Sequence, residues 1–201
     1  METTYDYNPD KANQLLDEAG WVMNESTGIR EKDGEPLNLL LTLESDYSAT
    51  SMPTAEVIKS QLAEVGIDVT IYGTEQMQWY ADYLEGKFDL TLWHSQFAFA
   101  SPHCWFTPMD SMVPQTPSLP GIEGSDEFLA TIKDLTNMVD EQEVRDTYTY
   151  LFNFDIGTVL DIPLTYQKDM IVYNTDKISG YTFTGTPYFF DILSLKPAES
   201  V

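Results

Sequence analysis

Between Leu37 and Trp93 the chain alternates strand, helix, strand, helix, strand, and this alternation constrains the fold more than any other feature. Leu37-Asn38-Leu39-Leu40-Leu41-Thr42-Leu43 is a short apolar run with weak alternation, the pattern of a strand buried on both faces. After the polar loop Glu44-Ser45-Asp46-Tyr47-Ser48, Pro53 opens a helix in which Val57, Ile58, Leu62 and Val65 form one stripe, ending at Gly66. Ile67-Asp68-Val69-Thr70-Ile71-Tyr72 alternates cleanly as a second strand. Thr74 is placed to cap a further helix carrying Met77, Tyr80 and Leu84 and closed by Gly86, and Phe88 to Trp93 is the third strand. Helical connections of this kind join parallel neighbours, so the expected class is α/β.

The flanks read as follows. Asn8 caps a helix with Pro9 at its first position and Asp10 in its first turn; Ala12, Leu15, Leu16 and Ala19 recur at helical spacing before Gly20. Residues 24–36, with Gly28 and Gly34, form a turn or small hairpin. Beyond the third strand, Pro102, Pro108, Pro114, Pro117 and Pro120 predict irregular chain until Ser125. Ser125 then caps a helix with Phe128, Ile132, Leu135 and Val139 inward. A second helix from about Glu141 carries Val144, Tyr148, Leu151 and Phe152, and the pair is expected to cover a sheet face. Leu160–Tyr166 and Met170–Asn174 read as short strands, with Pro163 at an edge. The tail, residues 178–201, is rich in aromatics without a period of its own, which predicts a surface that packs against something else.

The segment from Phe88 to Phe106 concentrates the chemistry, since both histidines, His94 and His103, and the single cysteine, Cys104, lie in it. A strand running into such a loop is where α/β proteins place ligands, at the carboxyl ends of strands. The net charge of -23, from 33 acidic against 10 basic residues, excludes a nucleic-acid partner, whose binding depends on Lys and Arg. The acids are spread over the polar positions of helices and read as a solvated surface. One cysteine forms no internal disulfide, no apolar run reaches the roughly 18 residues a membrane span needs, and no signal segment follows Met1.

Taken in order, these segments resemble the C-terminal lobe of the family 5 extracellular solute-binding proteins, the oligopeptide, dipeptide and nickel receptors of ABC importers. The likeness rests on Tyr7-Asn8-Pro9-Asp10-Lys11-Ala12 with Leu15-Leu16-Asp17-Glu18-Ala19-Gly20-Trp21, and on Ile29-Arg30-Glu31-Lys32-Asp33-Gly34-Glu35-Pro36-Leu37. It continues through Ile58 to Val69, with Gln61-Leu62 and Gly66-Ile67, and through Gly86-Lys87-Phe88-Asp89-Leu90. Asp140-Glu141 with Arg145, Ile162-Pro163-Leu164, and Val172-Tyr173-Asn174 with Ile178-Ser179-Gly180-Tyr181 complete it. The resemblance implies a type II periplasmic-binding-protein-like lobe, a mixed sheet flanked by helices, over residues 1–177. Residues 178–201 would be a tail returning to a missing N-terminal lobe. It further implies a receptor that closes on solute by hinge motion, works with the membrane subunits of an ABC importer, and lies outside the cytoplasmic membrane, in the periplasm or as an anchored lipoprotein.

On this reading the strand end at His94 and the loop after it face the interlobe cleft. His94, Gln96, Phe97, Phe99, His103 and Trp105 are the ligand-binding candidates, with Asp46 and Tyr47 after the first strand lining the same cleft. The expected solute is an oligopeptide, bound through backbone hydrogen bonds and aromatic walls; the alternative is nickel or a nickel chelate. Nickel receptors of the family hold the metal through a small chelator, with a histidine late in this loop, whereas Met112-Val113-Pro114-Gln115-Thr116 contains none. A protein-only metal site would have His94, His103, Cys104 and Asp110 to draw on, too scattered for a closed tetrahedral set. The less favoured third class is a cysteine hydrolase using Cys104 with His103 or His94 and Asp110, but no nucleophile signature surrounds the cysteine. The expectation is therefore a binding protein with no catalytic residues, no cofactor and no metal of its own.

Overall fold

The computed structural model describes residues 5–94, 102–110, 117–165, 171–182 and 192–198. Its centre is a three-stranded parallel sheet of β4 (Asn38–Glu44), β5 (Asp68–Thr74) and β6 (Leu90–Leu92), in the order β5-β4-β6. Three shorter strands precede these: β1 (Val22–Asn24), β2 (Ile29–Lys32) and β3 (Glu35–Pro36). The helices α1 (Pro9–Glu18), α2 (Ser51–Ala63) and α3 (Gln76–Leu84) complete this half of the chain. β4 runs in register from Asn38 opposite Asp68 to Glu44 opposite Thr74, and Leu43 faces Leu92 on its other side. Leu41, Leu43 and Val69 bury one face with Ala55, Ile58 and Leu62 of α2. On the opposite face Thr42 donates to Thr91 Oγ1 at 3.0 Å, and the Trp79 indole of α3 donates to the same oxygen at 3.1 Å. The sheet therefore lies between α2 and α3.

The helix stripes differ in detail from their expectation. α2 begins at Ser51, before Pro53, and Val57 is exposed because Ala55, Ile58 and Leu62 take the sheet-facing side. In α3 the buried aromatic pair is Trp79 and Tyr83, four residues apart, with Asp82 also buried, while Met77 points outward; Thr74 closes β5, leaving Glu75 at the cap. α1 matches its reading, with Asn8 Oδ1 accepting from the Lys11 amide at 2.9 Å.

β1, β2 and β3 form an antiparallel sheet of their own. It is fastened to the α2–β5 turn at Gly66, where an added Cβ would lie 2.7 Å from Met23 Cε and 2.9 Å from Arg30 Cγ, at a φ of +82°. Arg30, only 3% exposed, is the hub of this junction. Its Nε donates to Val65 O at 2.8 Å, Nη1 to Trp21 O and Asp17 Oδ1 at 2.6 Å each, and Nη2 to Asn13 Oδ1 at 2.7 Å.

The second half builds a separate helical core. α4 (His103–Phe106) and a 3-10 turn, Thr107–Asp110, occupy chain expected to be irregular, as does a second such turn at Leu119–Gly121. Prolines fit here because the first turn of a helix leaves its N–H groups unpaired. α5 (Ser125–Leu135) and α6 (Glu141–Gly157) pack on each other, burying Phe128, Ile132, Leu135 and Leu151 with Phe106, Met109 and Leu119. Among the described residues they cover no sheet face, contrary to expectation, because their apolar stripes pack on one another and on the α4 segment. Val139 lies past the end of α5 and is exposed. α6 is capped by Asp140, whose Oδ1 accepts from Gln142 N at 3.0 Å and Glu143 N at 2.9 Å.

The expected strands at 160–166 and 170–174 are not formed by residues 161–165 or 171–174, while 166–170 fall outside the described residues. Pro163 offers no donor, and no described strand lies beside them. In the tail, β7 (Ile178–Gly180) pairs antiparallel with β8 (Lys196–Pro197); residues 183–191 are outside the description.

Candidate functional site

The order β5-β4-β6 contains a switch point. The chain leaves β4 through α2 toward β5, then crosses back through α3 to β6 on the other side of β4. Loops at the carboxyl ends of strands part at such a point and leave a crevice. The residues after β4 are Ser45, Asp46 and Tyr47; those after β6 are Trp93 and His94. Ser45 ties the β4 end to β5, its amide donating to Thr74 O at 2.8 Å, and its hydroxyl donates to Asp46 Oδ1 at 3.0 Å.

Tyr47 and His94 stack on each other at these strand ends, with ring centroids 3.7 Å apart and planes inclined by 17°. His94 Nε2 is buried with no hydrogen-bond partner among the described residues. Burial pushes the imidazole below its ordinary pKa, so the ring is neutral at neutral pH. A neutral imidazole held flat against a phenol ring forms an aromatic wall and holds one buried nitrogen, Nε2, without a hydrogen-bond partner among the described residues. That is a binding chemistry, suited to a hydrogen-bonding solute or to a metal already held by a chelator.

Strand alternation explains the neighbouring residue. Trp93 lies two residues after Thr91 and shares its α3 side, with ring centroids 5.1 Å from Trp79 and 4.8 Å from Tyr83. Half-exposed beside the site, Trp93 was not among the sequence candidates. Period-two alternation from Thr91 was the signal available for it.

The other candidates are placed as follows. Asp46 is exposed in the loop after β4. Trp105 joins the helical core, and its indole donates to Asp155 Oδ2 of α6 at 3.0 Å. His103 begins α4, its carbonyl accepting from Thr107 Oγ1 at 2.6 Å. Gln96, Phe97 and Phe99 lie outside the described residues. No set of three or more His, Cys, Asp or Glu groups is gathered as a metal site among the described residues. Asp110 pairs with Lys133 at 3.1 Å, and Cys104 is half-buried. No helix among the described residues is long and apolar enough to cross a membrane.

These features define the class: an α/β lobe of the type II periplasmic-binding architecture. Residues 1–116 match the family described as bacterial extracellular solute-binding proteins, family 5 middle, and the chain belongs to that family. It is 27% identical over 169 residues to the nickel-binding periplasmic protein of Escherichia coli, covering 83% of this chain and 32% of that protein. A segment of 69 residues, 34% of this chain and 11% of its relative, is 42% identical to the oligopeptide-binding protein OppA of Lactococcus lactis. The crystal structure of NikA from Brucella suis in complex with Fe(III)-EDTA superposes with a TM-score of 0.91 at 28% identity, over 98% of this chain and 39% of that one. The chain thus spans about a third of the length of its relative from Escherichia coli. The family is one of solute-binding proteins rather than enzymes, and its matched members include periplasmic proteins.

Proposed function

We propose that the intact protein is the solute-binding component of an ABC importer and that residues 1–177 form its C-terminal lobe, with 178–201 running to the other lobe. The carrying observation is the Tyr47–His94 stack at the carboxyl ends of two adjacent parallel strands. Two solute classes suit this wall. An oligopeptide would lay backbone groups along the loop edges and side chains against the aromatic rings, and the segment similar to OppA favours it. A metal chelate would take the unpartnered His94 Nε2 as a ligand or hydrogen-bond partner, and the similarity to the nickel-binding protein over most of the chain favours that. Gln96, Phe97, Phe99, His103, Trp105 and Asp46 complete the proposed set, Trp105 by fastening α4 to α6 and the others by contact. The whole would work outside the cytoplasmic membrane with importer subunits as partners, no chemistry being done on the solute.

The test is thermal unfolding and calorimetry of the full-length protein with peptide pools and, separately, with nickel plus L-histidine. A bound solute at about 100 times its Kd stabilises the fold by roughly 2.7 kcal/mol. Tyr47→Ala and His94→Ala should each weaken the active solute by about tenfold or more. Stabilisation by neither class, or full affinity in both variants, refutes the proposed wall.

A further inference from the structure

The central strand β4 ends on an acid, Glu44, that is only 7% exposed. Among the described residues no group donates to its carboxyl and no Lys or Arg pairs with it. Leu41 and Leu43 pack toward α2, so alternation turns Thr42 and Glu44 toward α3, the side on which Thr42 meets Thr91 and the Trp79 indole. On β5, Glu44 stands opposite Thr74. On β6, the register that sets Leu43 opposite Leu92 brings Trp93 beside Glu44 one step further along, on the same α3 side. Trp93 packs on Trp79 and Tyr83 yet stays 40% exposed.

An acid taken this far out of water is costly unless something pairs with it. The fully enclosed polar atoms without a partner include His94 Nε2 but neither oxygen of Glu44, so the carboxyl end is the part of the residue left open. The protein supplies no cation nearby in sequence or sheet: the strand-end residues 45–50, 75–76 and 93–94 add Asp46 and Glu75 and contain no Lys or Arg. Lys87, at the start of the β6 segment, is already paired with Asp82 at 3.4 Å and Glu85 at 2.6 Å. A cationic group arriving with the solute would gain a charge-assisted hydrogen bond from Glu44 and attraction to the half-exposed indole beside it. An anionic group would meet repulsion there.

We infer that Glu44 and Trp93 form a subsite for a cationic side group of the solute, an ammonium or a guanidinium, a role that rests on the solute-binding reading above. The Tyr47–His94 stack lies at the same strand ends and serves as a wall without charge preference. Glu44 is then the residue that selects. The occupant we commit to is the lysine or arginine side chain of an oligopeptide, whose length lets the charge reach a carboxyl set at the end of the sheet.

The test is calorimetry of the full-length protein with three tripeptide pools that differ in one residue, carried in turn at each position: Lys or Arg, Gln or Met, and Glu. Every pool has the same α-ammonium, so that group cannot produce a difference between them. Wild type should bind the Lys or Arg pool about tenfold or more tighter than the Gln or Met pool, and the Glu pool most weakly. Glu44→Gln keeps the shape without the charge and should lose this preference. Trp93→Leu should reduce it by about threefold. If Glu44→Gln fails to fold, the wild-type pools and Trp93→Leu still decide the matter. Equal affinity for the three pools, or a preference that survives Glu44→Gln, overturns the subsite and leaves the receptor reading standing. Binding of no pool overturns the peptide reading itself, and the subsite with it.

Discussion

Replacing Arg30 tests how the two sheets of the first half are joined. The guanidinium is 3% exposed and makes four hydrogen bonds, two to backbone carbonyls of Val65 and Trp21 and two to the side chains of Asp17 and Asn13. Asp17 is 68% exposed, so its ion pair is screened and contributes only about 0–1 kcal/mol. The larger loss in Arg30→Ala is that of charge-assisted bonds to carbonyls in a buried junction, together with the aliphatic stem packed at Gly66. These sum to about 3–5 kcal/mol, within the range for breaking a buried charged network. A domain of this kind has roughly 5–15 kcal/mol in total, so the variant should unfold at a much lower urea concentration. Arg30→Lys, with a compact ammonium that cannot span four acceptors, should lose about 2 kcal/mol. Asp17→Ala should lose less than about 1 kcal/mol. Urea unfolding followed by circular dichroism measures all three. A loss below about 1 kcal/mol for Arg30→Ala, or an equal loss for Asp17→Ala, would refute the assignment of the hub to the carbonyl network.

Three further outcomes are expected. Thr91→Val strands the Trp79 indole N–H inside the α3 face and should cost about 1–3 kcal/mol, read as a shift in the urea midpoint. Val159→Gly removes left-handed strain and should stabilise by about 1 kcal/mol, seen as a higher Tm. Because folded Asp155 is raised from 3.8 to about 7, its stabilising contribution is complete below pH 3.8 and is lost as pH rises through 7. Asp155→Asn should abolish that part of the pH dependence, and identical midpoint-versus-pH curves for the two proteins would contradict it.

The strand, helix and capping pattern from Asn8 to Leu92 was legible because each signal is local. Asn8 caps α1, Gly66 closes α2, and the apolar runs at 37–43 and 67–72 became parallel neighbours. Errors fell where packing partners decide. Val57 and Met77 belong to plausible stripes, yet Ala55 and Trp79 take the buried positions, because helix rotation follows the shape of the facing sheet. α5 and α6 read correctly as helices but not in their docking, since an amphipathic stripe does not name its partner. Tyr47 and His94 were both visible as candidates at strand ends, 47 residues apart in sequence; their stacking depends on β4 and β6 being adjacent.

By itself the sequence determined the class of fold, the family and the placing of polar and aromatic residues at strand ends, all consequences of periodicity, capping and local motif. Only the tertiary structure decided that β6 pairs with β4, that Tyr47 lies against His94, and that the Trp105 indole of α4 donates to Asp155 of α6. These are contacts between elements distant in sequence, fixed by sheet order and helix docking, and no local propensity encodes them.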